Sequence, residues 1–412
     1  MEASELHRAL VDQLKHEGHI TTTRVEAAFR AIPRHLFLPH VAVAEVYRDI
    51  AIVTKRLNDQ PISSSSQPAM MAIMLEQLEL QPGQHVLEIG TGTGYNAALL
   101  AQLVGDAGLV VTMDLDQDLV DDARAHLATA GIDRVQVIRG EGGTGHPAGA
   151  PYDRIILTVG TDEILPAWHT QLKPGGRLVL PLSIRLTQKS IGFESTRGYL
   201  TSTSIKDCGF MMLRGDFAGP GCSSPLGPTA GLHFTSANPD EHDLDKIYQW
   251  LLGPSQDWST GVRVTDAEIW GGLSLWLDLH ESGFCNLWAE GDMATRGIIP
   301  VLFAAGDDRM TSGLVGHDSL CLLRRPPDTA PQANDATPFE LFVRNYATRD
   351  TLARHLIERI RAWDTAGRPG SVGLRIRAYP PEVDYQTVAN EILIRKKWSQ
   401  LVLDWPQQPV NG

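Results

Sequence analysis

Cysteine is scarce in this 412-residue chain, and Cys208, Cys222, Cys285 and Cys321 form no C-x-x-C pair. That spacing argues against a zinc site and a disulfide framework, so four reduced thiols are expected. No H-E-x-x-H or comparable pattern occurs, and no metal is expected. Long apolar runs are missing too: the best, Ile298 to Ala305, is well short of the ~18 residues of a membrane span. The opening residues, MEASELHRALVDQ, have neither a basic region nor an apolar core, so the expectation is no secretory signal and a cytoplasmic location. Basic charge is also in deficit, with 36 Lys and Arg against 49 Asp and Glu, a net of -13. Binding to phosphates releases counterions only where cations cluster, and the only basic run is Arg395–Lys396–Lys397. Neither a nucleic-acid nor a membrane partner is expected.

What is present reads as a folded protein, 42% hydrophobic and 21% charged, long enough for two cores. Leu6, Leu10 and Leu14 recur four apart, one face of a helix over 3–17 that Gly18 ends. Thr23 and Glu26 have capping-box spacing for a second helix. From Gln84, strand and helix patterns alternate. Strands are predicted at His85–Ile89, Leu109–Met113, Arg134–Ile138, Arg154–Val159 and, after the Lys173–Gly176 turn, Arg177–Pro181. Helices are predicted at Tyr95–Val104 and Gln117–Ala130. Repeated βα units of this kind imply an α/β fold, a mostly parallel, doubly wound sheet covered on both faces.

The composition then shifts. Ala218–Gly231 is rich in Gly, Pro and Ser and reads as a linker, with a catalytic domain over 1–217 and an accessory α+β domain over 232–412. In the second domain Trp250, Trp258, Trp270, Trp276 and Trp288 fall close together, which points to packing more than to a ligand cage. Leu273–His280 and Leu374–Tyr379 alternate like half-buried strands. Asp350 can cap a helix carrying Leu352, Leu356, Ile360 and Trp363, and Pro326–Pro338 reads as a long loop.

Chemistry concentrates at Val86-Leu-Glu-Ile-Gly-Thr-Gly-Thr-Gly-Tyr95, a strand running through a glycine loop into a helix. Glycines serve where backbone turns tightly and approaches a ligand. A dinucleotide site is the competitor, but Gly90, Gly92 and Gly94 lack the G-x-G-x-x-G register that seats pyrophosphate on a helix N-terminus. Glu88 beside the loop would repel pyrophosphate and suits a cation instead. S-adenosylmethionine carries an ammonium and a sulfonium and no phosphate. Asp114 ends the next strand, where a carboxylate can accept ribose hydroxyls. Glu141, in Gly140-Glu-Gly-Gly143, is the candidate for the adenine amino group.

Further motifs narrow the family. Arg34-His-Leu-Phe-Leu-Pro39, Tyr47-Arg-Asp49 and Ile62-Ser-Ser-Ser-Ser-Gln-Pro68 precede the glycine loop, and Ala150-Pro-Tyr152 and Gln171–Pro181 follow it. Over about residues 3–217 this ordered set resembles the protein-L-isoaspartate O-methyltransferases, whose fold is a Rossmann-like class I methyltransferase domain. Cys208–Leu213 resembles the strand that closes that domain. The resemblance implies S-adenosyl-L-methionine as cofactor, with S-adenosyl-L-homocysteine as product. The residues it would bring to the cofactor are Ser63, Glu88, Gly90, Thr91, Gly92, Thr93, Gly94, Asp114, Leu115, Glu141 and Gly142. Ser66 matches the family's substrate serine, because Gln67 and Pro68 follow directly. Ser64 and Ser65 stand where the family has Thr and Ile, and all three hydroxyls are candidates for holding the substrate carboxylate.

Such a reaction needs no strong base, since an Asp side chain with a pKa near ~4 is already ionised at neutral pH. The enzyme must align nucleophile and methyl group and exclude water. The ester can then close to a succinimide as the next backbone nitrogen attacks it. Two departures, the Ser64–Ser65 pair and some 180 residues beyond the linker, set the chain apart from the family's one-domain repair enzymes. It looks more like the family's longer members, a resemblance that implies methylation of aspartate in ribosomally made, modified peptides. Isoaspartate repair with an accessory domain is the alternative. The partner is a peptide or protein bearing Asp or isoAsp, and the C-terminal domain is expected to capture it.

Overall fold

The computed structural model describes residues 2–58, 60–326, 337–346 and 349–406, and these divide into two compact units. The first comprises residues 1–183, 188–219 and 375–404; the second comprises 184–187, 220–374 and 405–412. The 232–412 accessory domain therefore needs correction, because its last strands belong to the first unit. Of the expected Pro326–Pro338 loop, residues 327–336 lie outside the described residues.

In the first unit α1 (Ala3–His16) and α2 (Thr23–Ala31) pack their apolar stripes, Leu10, Val11 and Leu14 against Val25, Ala28 and Phe29, into one core. The cap of α2 is Thr22 rather than Thr23: its hydroxyl accepts from the Val25 amide. Glu26 is drawn away by Lys15 and Arg30. After the short α3 (Val43–Val46), β1 (Ile52–Leu57) and β2 (Gln60–Ser65) form an antiparallel ribbon leading into α4 (Pro68–Leu78). The βα alternation follows: β3 (His85–Ile89), α5 (Tyr95–Val104), β4 (Leu109–Asp114), α6 (Gln117–Thr129), β5 (Val135–Arg139), β6 (Tyr152–Leu157), α7 (Pro166–Thr170) and β7 (Leu172–Ser183). Lys173–Gly176, expected as a turn, lies inside β7 at an irregularity in its pairing with β6.

Strands β5, β4, β3, β6 and β7 are parallel, and β8 (Gln188–Ser195) and β9 (Leu200–Asp207) extend the sheet antiparallel. Cys208–Leu213 adds only an isolated bridge, Gly160 to Met212, in place of the expected closing strand. Three late strands do that work: β18 (Arg375–Tyr379), β19 (Ile392–Arg395) and β20 (Gln400–Asp404). They give the order β19–β20–β18–β9–β8–β7–β6–β3–β4–β5 among the described residues.

The second unit is built on an antiparallel sheet. Its strands are β10 (Ser223–Pro225), β11 (Leu232–Ser236), β12 (Gln256–Val264), β13 (Phe284–Ala289), β14 (Phe303–Ala305), β15 (Asp308–Val315), β16 (Leu320–Arg324) and β17 (Phe339–Asn345). The order is β10–β11–β13–β15–β16–β17–β12, with β14 beside β15. The Ala218–Gly231 segment is thus more than a linker: β10 pairs with β11, and Leu226 is fully buried. Leu273–His280 is helical, contrary to its alternating pattern. A capping box from Thr265 to Glu268 starts the turn. Leucines at 273, 275, 277 and 279 can alternate there because all four are buried. The Thr351–Thr365 helix buries Leu356, Ile360 and Trp363 as expected, but Asp350 pairs with Arg354 instead of capping it. All four cysteines are free thiols.

Candidate active site

Four loops leave the same edge of the parallel sheet, the C-terminal ends of β3, β4, β5 and β6, where open α/β sheets bind their ligands. The first is the glycine loop. Gly90, Gly92 and Gly94 have φ of +102°, +51° and +86°, conformations that disfavour a side chain. Space is short as well: a Cβ at Gly90 would lie 2.6 Å from the Thr158 hydroxyl and 3.0 Å from Val159. Thr91 and Thr93 are buried within the loop.

Asp114, at the end of β4, turns its carboxylate back on this loop. Oδ2 accepts from the Gly92 amide at 3.0 Å and Oδ1 from the Leu115 amide at 2.9 Å. Burial raises its pKa, opposed by the amides of Gly92, Asp116 and Leu115. A carboxylate offers about four lone-pair positions, so acceptor capacity remains for a diol.

Glu88 is placed differently from expectation. It is fully buried beneath the loop, accepting from Asn96 Nδ2 at 2.8 Å and Thr112 Oγ1 at 2.6 Å, while Thr112 meets Thr91 at 2.8 Å. Burial pushes its carboxyl up to about 7 despite those two hydrogen bonds. Glu88 thus supports the loop from behind instead of standing at its edge. Glu141 reaches toward residues 215–216 and accepts from the Asp216 amide at 3.3 Å. Gly142 is buried, its carbonyl held by Trp168 Nε1 at 2.9 Å.

The serine run forms the end of β2 and lies against the same loop: a Cβ on Gly92 would sit 3.5 Å from the Ser64 carbonyl and 3.9 Å from the Ser63 hydroxyl. Ser63 accepts from Thr54 Oγ1 at 3.2 Å. Ser65 is buried and accepts from Arg34 Nη2. The Ser64 and Ser66 hydroxyls have no hydrogen-bond partner among the described residues.

Two side chains that received no role from the sequence hold this run in place. Arg34, fully buried, donates to the carbonyls of Val46 (2.9 Å), Ile50 (3.3 Å), Ser65 (3.2 Å) and Ser66 (3.0 Å). Burial lowers its pKa. Asp49 accepts from Gln67 Nε2 at 2.7 Å and from the Ala69 amide at 2.8 Å, fixing the start of α4. Both stand in motifs that carry the family resemblance, which was the available signal. A third group, Lys55 and Arg214 on Asp116 at 2.8 and 2.7 Å, ties the β1–β2 ribbon and the 211–219 segment to the loop after β4. Burial opposes the Asp116 charge, but the two cations outweigh it and lower its pKa.

A glycine loop with acidic residues at successive strand ends and a serine lip can be compared with known proteins. The family profile for protein-L-isoaspartate(D-aspartate) O-methyltransferase matches residues 4–216. This chain belongs to that family. A Methanopyrus kandleri protein-L-isoaspartate O-methyltransferase is 40% identical over 209 residues, 50% of this chain and 90% of the relative. One from Pyrococcus horikoshii is 42% identical over 185 residues, 44% of this chain and 81% of the relative. A solved protein-L-isoaspartate O-methyltransferase covers 96% of this chain and 98% of its own, at 25% identity and a TM-score of 0.51.

The chain is accordingly an S-adenosylmethionine-dependent protein carboxyl O-methyltransferase of the isoaspartate family. The residues present fit that cofactor: carboxylates stand after β4 and β5, and Gly90–Gly94 contains no cation that would meet a phosphate. No helix among the described residues is long and apolar enough to cross a membrane, and no group of three or more metal-ligating side chains occurs among them.

Proposed function

We propose that this methyltransferase esterifies the free carboxylate of isoaspartyl residues in proteins or peptides. The supporting observation is the serine lip: Ser64 and Ser66 present unpartnered hydroxyls beside the glycine loop, on backbone that Arg34 and Asp49 hold rigid. Hydroxyls position a carboxylate by donating to it while leaving its charge, and so its nucleophilicity, intact. Asp114 takes the ribose hydroxyls and Glu141 the adenine amino group. Glu88 keeps the loop in shape through Asn96 and Thr112. Bound S-adenosylmethionine supplies an electrophilic methyl group on sulfur.

The relatives' names favour isoaspartate over modified-peptide aspartate. The added length does not reverse this, because a solved isoaspartate enzyme matches nearly the whole chain. Aspartate in a constrained, ribosomally made peptide is the second reading, supported by the polar Ser64–Ser65 pair in place of Thr-Ile. The test is methyl transfer to paired peptides differing only in isoAsp or Asp. Transfer to the isoAsp peptide is expected, with Ser66→Ala cutting kcat/KM by about 10- to 100-fold and cofactor affinity preserved. Transfer to the Asp peptide alone would replace the first reading with the second.

A further inference from the structure

The one basic run of this acidic chain, Arg395–Lys396–Lys397, spans the last residue of β19 and the turn into β20. That turn is fastened to the active-site edge of the first unit. Glu163 Oε1 accepts from the Lys397 amide at 2.8 Å, and Oε2 accepts from the Trp398 amide at 3.2 Å and the Ser399 hydroxyl at 3.4 Å. Lys396 Nζ donates to the carbonyls of Asp162 (2.7 Å) and Ser183 (3.0 Å). Asp162 and Glu163 lie on the loop leaving β6, whose Thr158 donates to the Gly90 carbonyl at 2.5 Å. One short loop therefore touches the glycine loop at one end and carries the C-terminal turn at the other. Trp398 remains 36% exposed, and Lys397 Nζ stands 4.9 Å over it. Arg395 and Lys397 are exposed and have no ion-pair partner among the described residues.

We infer that the Arg395–Trp398 turn is a wall of the peptide-binding cleft and selects substrates with acidic residues next to the methyl-accepting one. The inference rests on the isoaspartyl reading above. At a net charge of -13 most of the surface repels an acidic segment. At the turn, the Arg395 and Lys397 side chains are exposed, while the nearby Glu163 carboxylate is already engaged by three donors of the turn itself. The indole adds apolar area for the peptide backbone and side chains, the kind of anchor that carries binding energy. The family profile ends at residue 216, so this selectivity would belong to the late strands and not to the shared catalytic half.

The test uses the full chain, S-adenosylmethionine and two isoaspartyl heptapeptides differing only in Glu or Gln on both sides of the isoAsp. The wild type should prefer the Glu peptide by about tenfold in kcat/KM, and added salt should shrink the preference. Lys397→Glu or Arg395→Glu should abolish or reverse it. Lys206→Glu, the same charge change on an exposed lysine of β9, should preserve it. Equal kcat/KM for the two peptides, or a preference untouched by Lys397→Glu, overturns the inference while leaving the isoaspartyl reading intact. Methylation of neither peptide removes both.

Discussion

The two units cover their sheets by opposite means. In the first, β3, β4 and β6 are buried over most of their length, as parallel strands with helices on both faces must be. Because they run the same way, the loops after β3, β4, β5 and β6 leave one edge together, and every candidate cofactor and substrate residue lies on these loops, on the ends of β3 and β4 that lead into them, or on the serine lip. In the second unit β11 and β17 alternate buried and half-buried residues. The Thr351–Thr365 helix covers one face with Leu356 and Ile360 against Leu341 and Val343, and Ile247 and Leu251 help cover the other. Neighbouring strands there run antiparallel, so the C-terminal ends of adjacent strands point to opposite edges of the sheet. The candidate site residues thus gather on the unit with the parallel sheet.

The sharpest way to break that division is to cut the chain. Stopping at residue 217 removes β18 to β20, in which Ile376, Leu401, Val402 and Leu403 are fully buried. At roughly 1.5–3 kcal/mol per side chain, four such losses rival a typical total stability of ~5–15 kcal/mol. That fragment should be unfolded or aggregated by circular dichroism and gel filtration. Replacing residues 220–374 with a flexible Gly/Ser linker should leave the first unit folded and binding S-adenosylmethionine. A soluble, cofactor-binding 1–217 fragment would show the late strands to be dispensable.

A smaller effect sharpens the comparison within the first unit. Arg34→Ala should cost about 3 kcal/mol or more, because it strands buried carbonyls, and should remove most turnover by loosening Ser65 and Ser66. Arg34→Lys should rescue little, since one ammonium cannot replace a planar fork. Wild-type turnover in the lysine variant, measured beside its melting temperature, would reduce Arg34 to filler.

The smallest effect is electrostatic. The Glu88 carboxyl is pushed up to about 7 from an ordinary 4.5. Between those values the folded chain holds a proton that the unfolded chain has lost, so this group's stabilising contribution falls as pH rises through the window. Glu88→Gln should therefore gain more over the wild type at pH 8 than at pH 5, by at most ~3 kcal/mol. An equal difference in melting temperature at both pH values would mean that the carboxylate is well accommodated when ionised.

Legibility differed with the range of the interactions. His85–Ile89 and Tyr95–Val104 were readable to the residue, because a parallel core strand and its helix are set by local apolar pattern and by the glycines between them. Leu273–His280 was misread, because alternation signals a strand only when one face meets water, and here all four leucines are buried. The glycine loop, Asp114 and the serine run were legible as motifs. Arg34's role was not, since its partners lie 12 to 32 residues away. Glu88 was found but assigned to the wrong side of the loop, because composition does not say which way a strand-end side chain faces.

The sequence alone determined the parallel βα core, the glycine loop and the family, all of which rest on contiguous residues with fixed spacing. Tertiary structure decided which strands complete the first unit's sheet, what holds the serine lip, and where the Arg395–Lys396–Lys397 run meets the loop after β6. Each of these joins residues distant along the chain, by strand pairing or by buried hydrogen bonds, and no local pattern encodes which partner a free strand edge or a buried guanidinium will find.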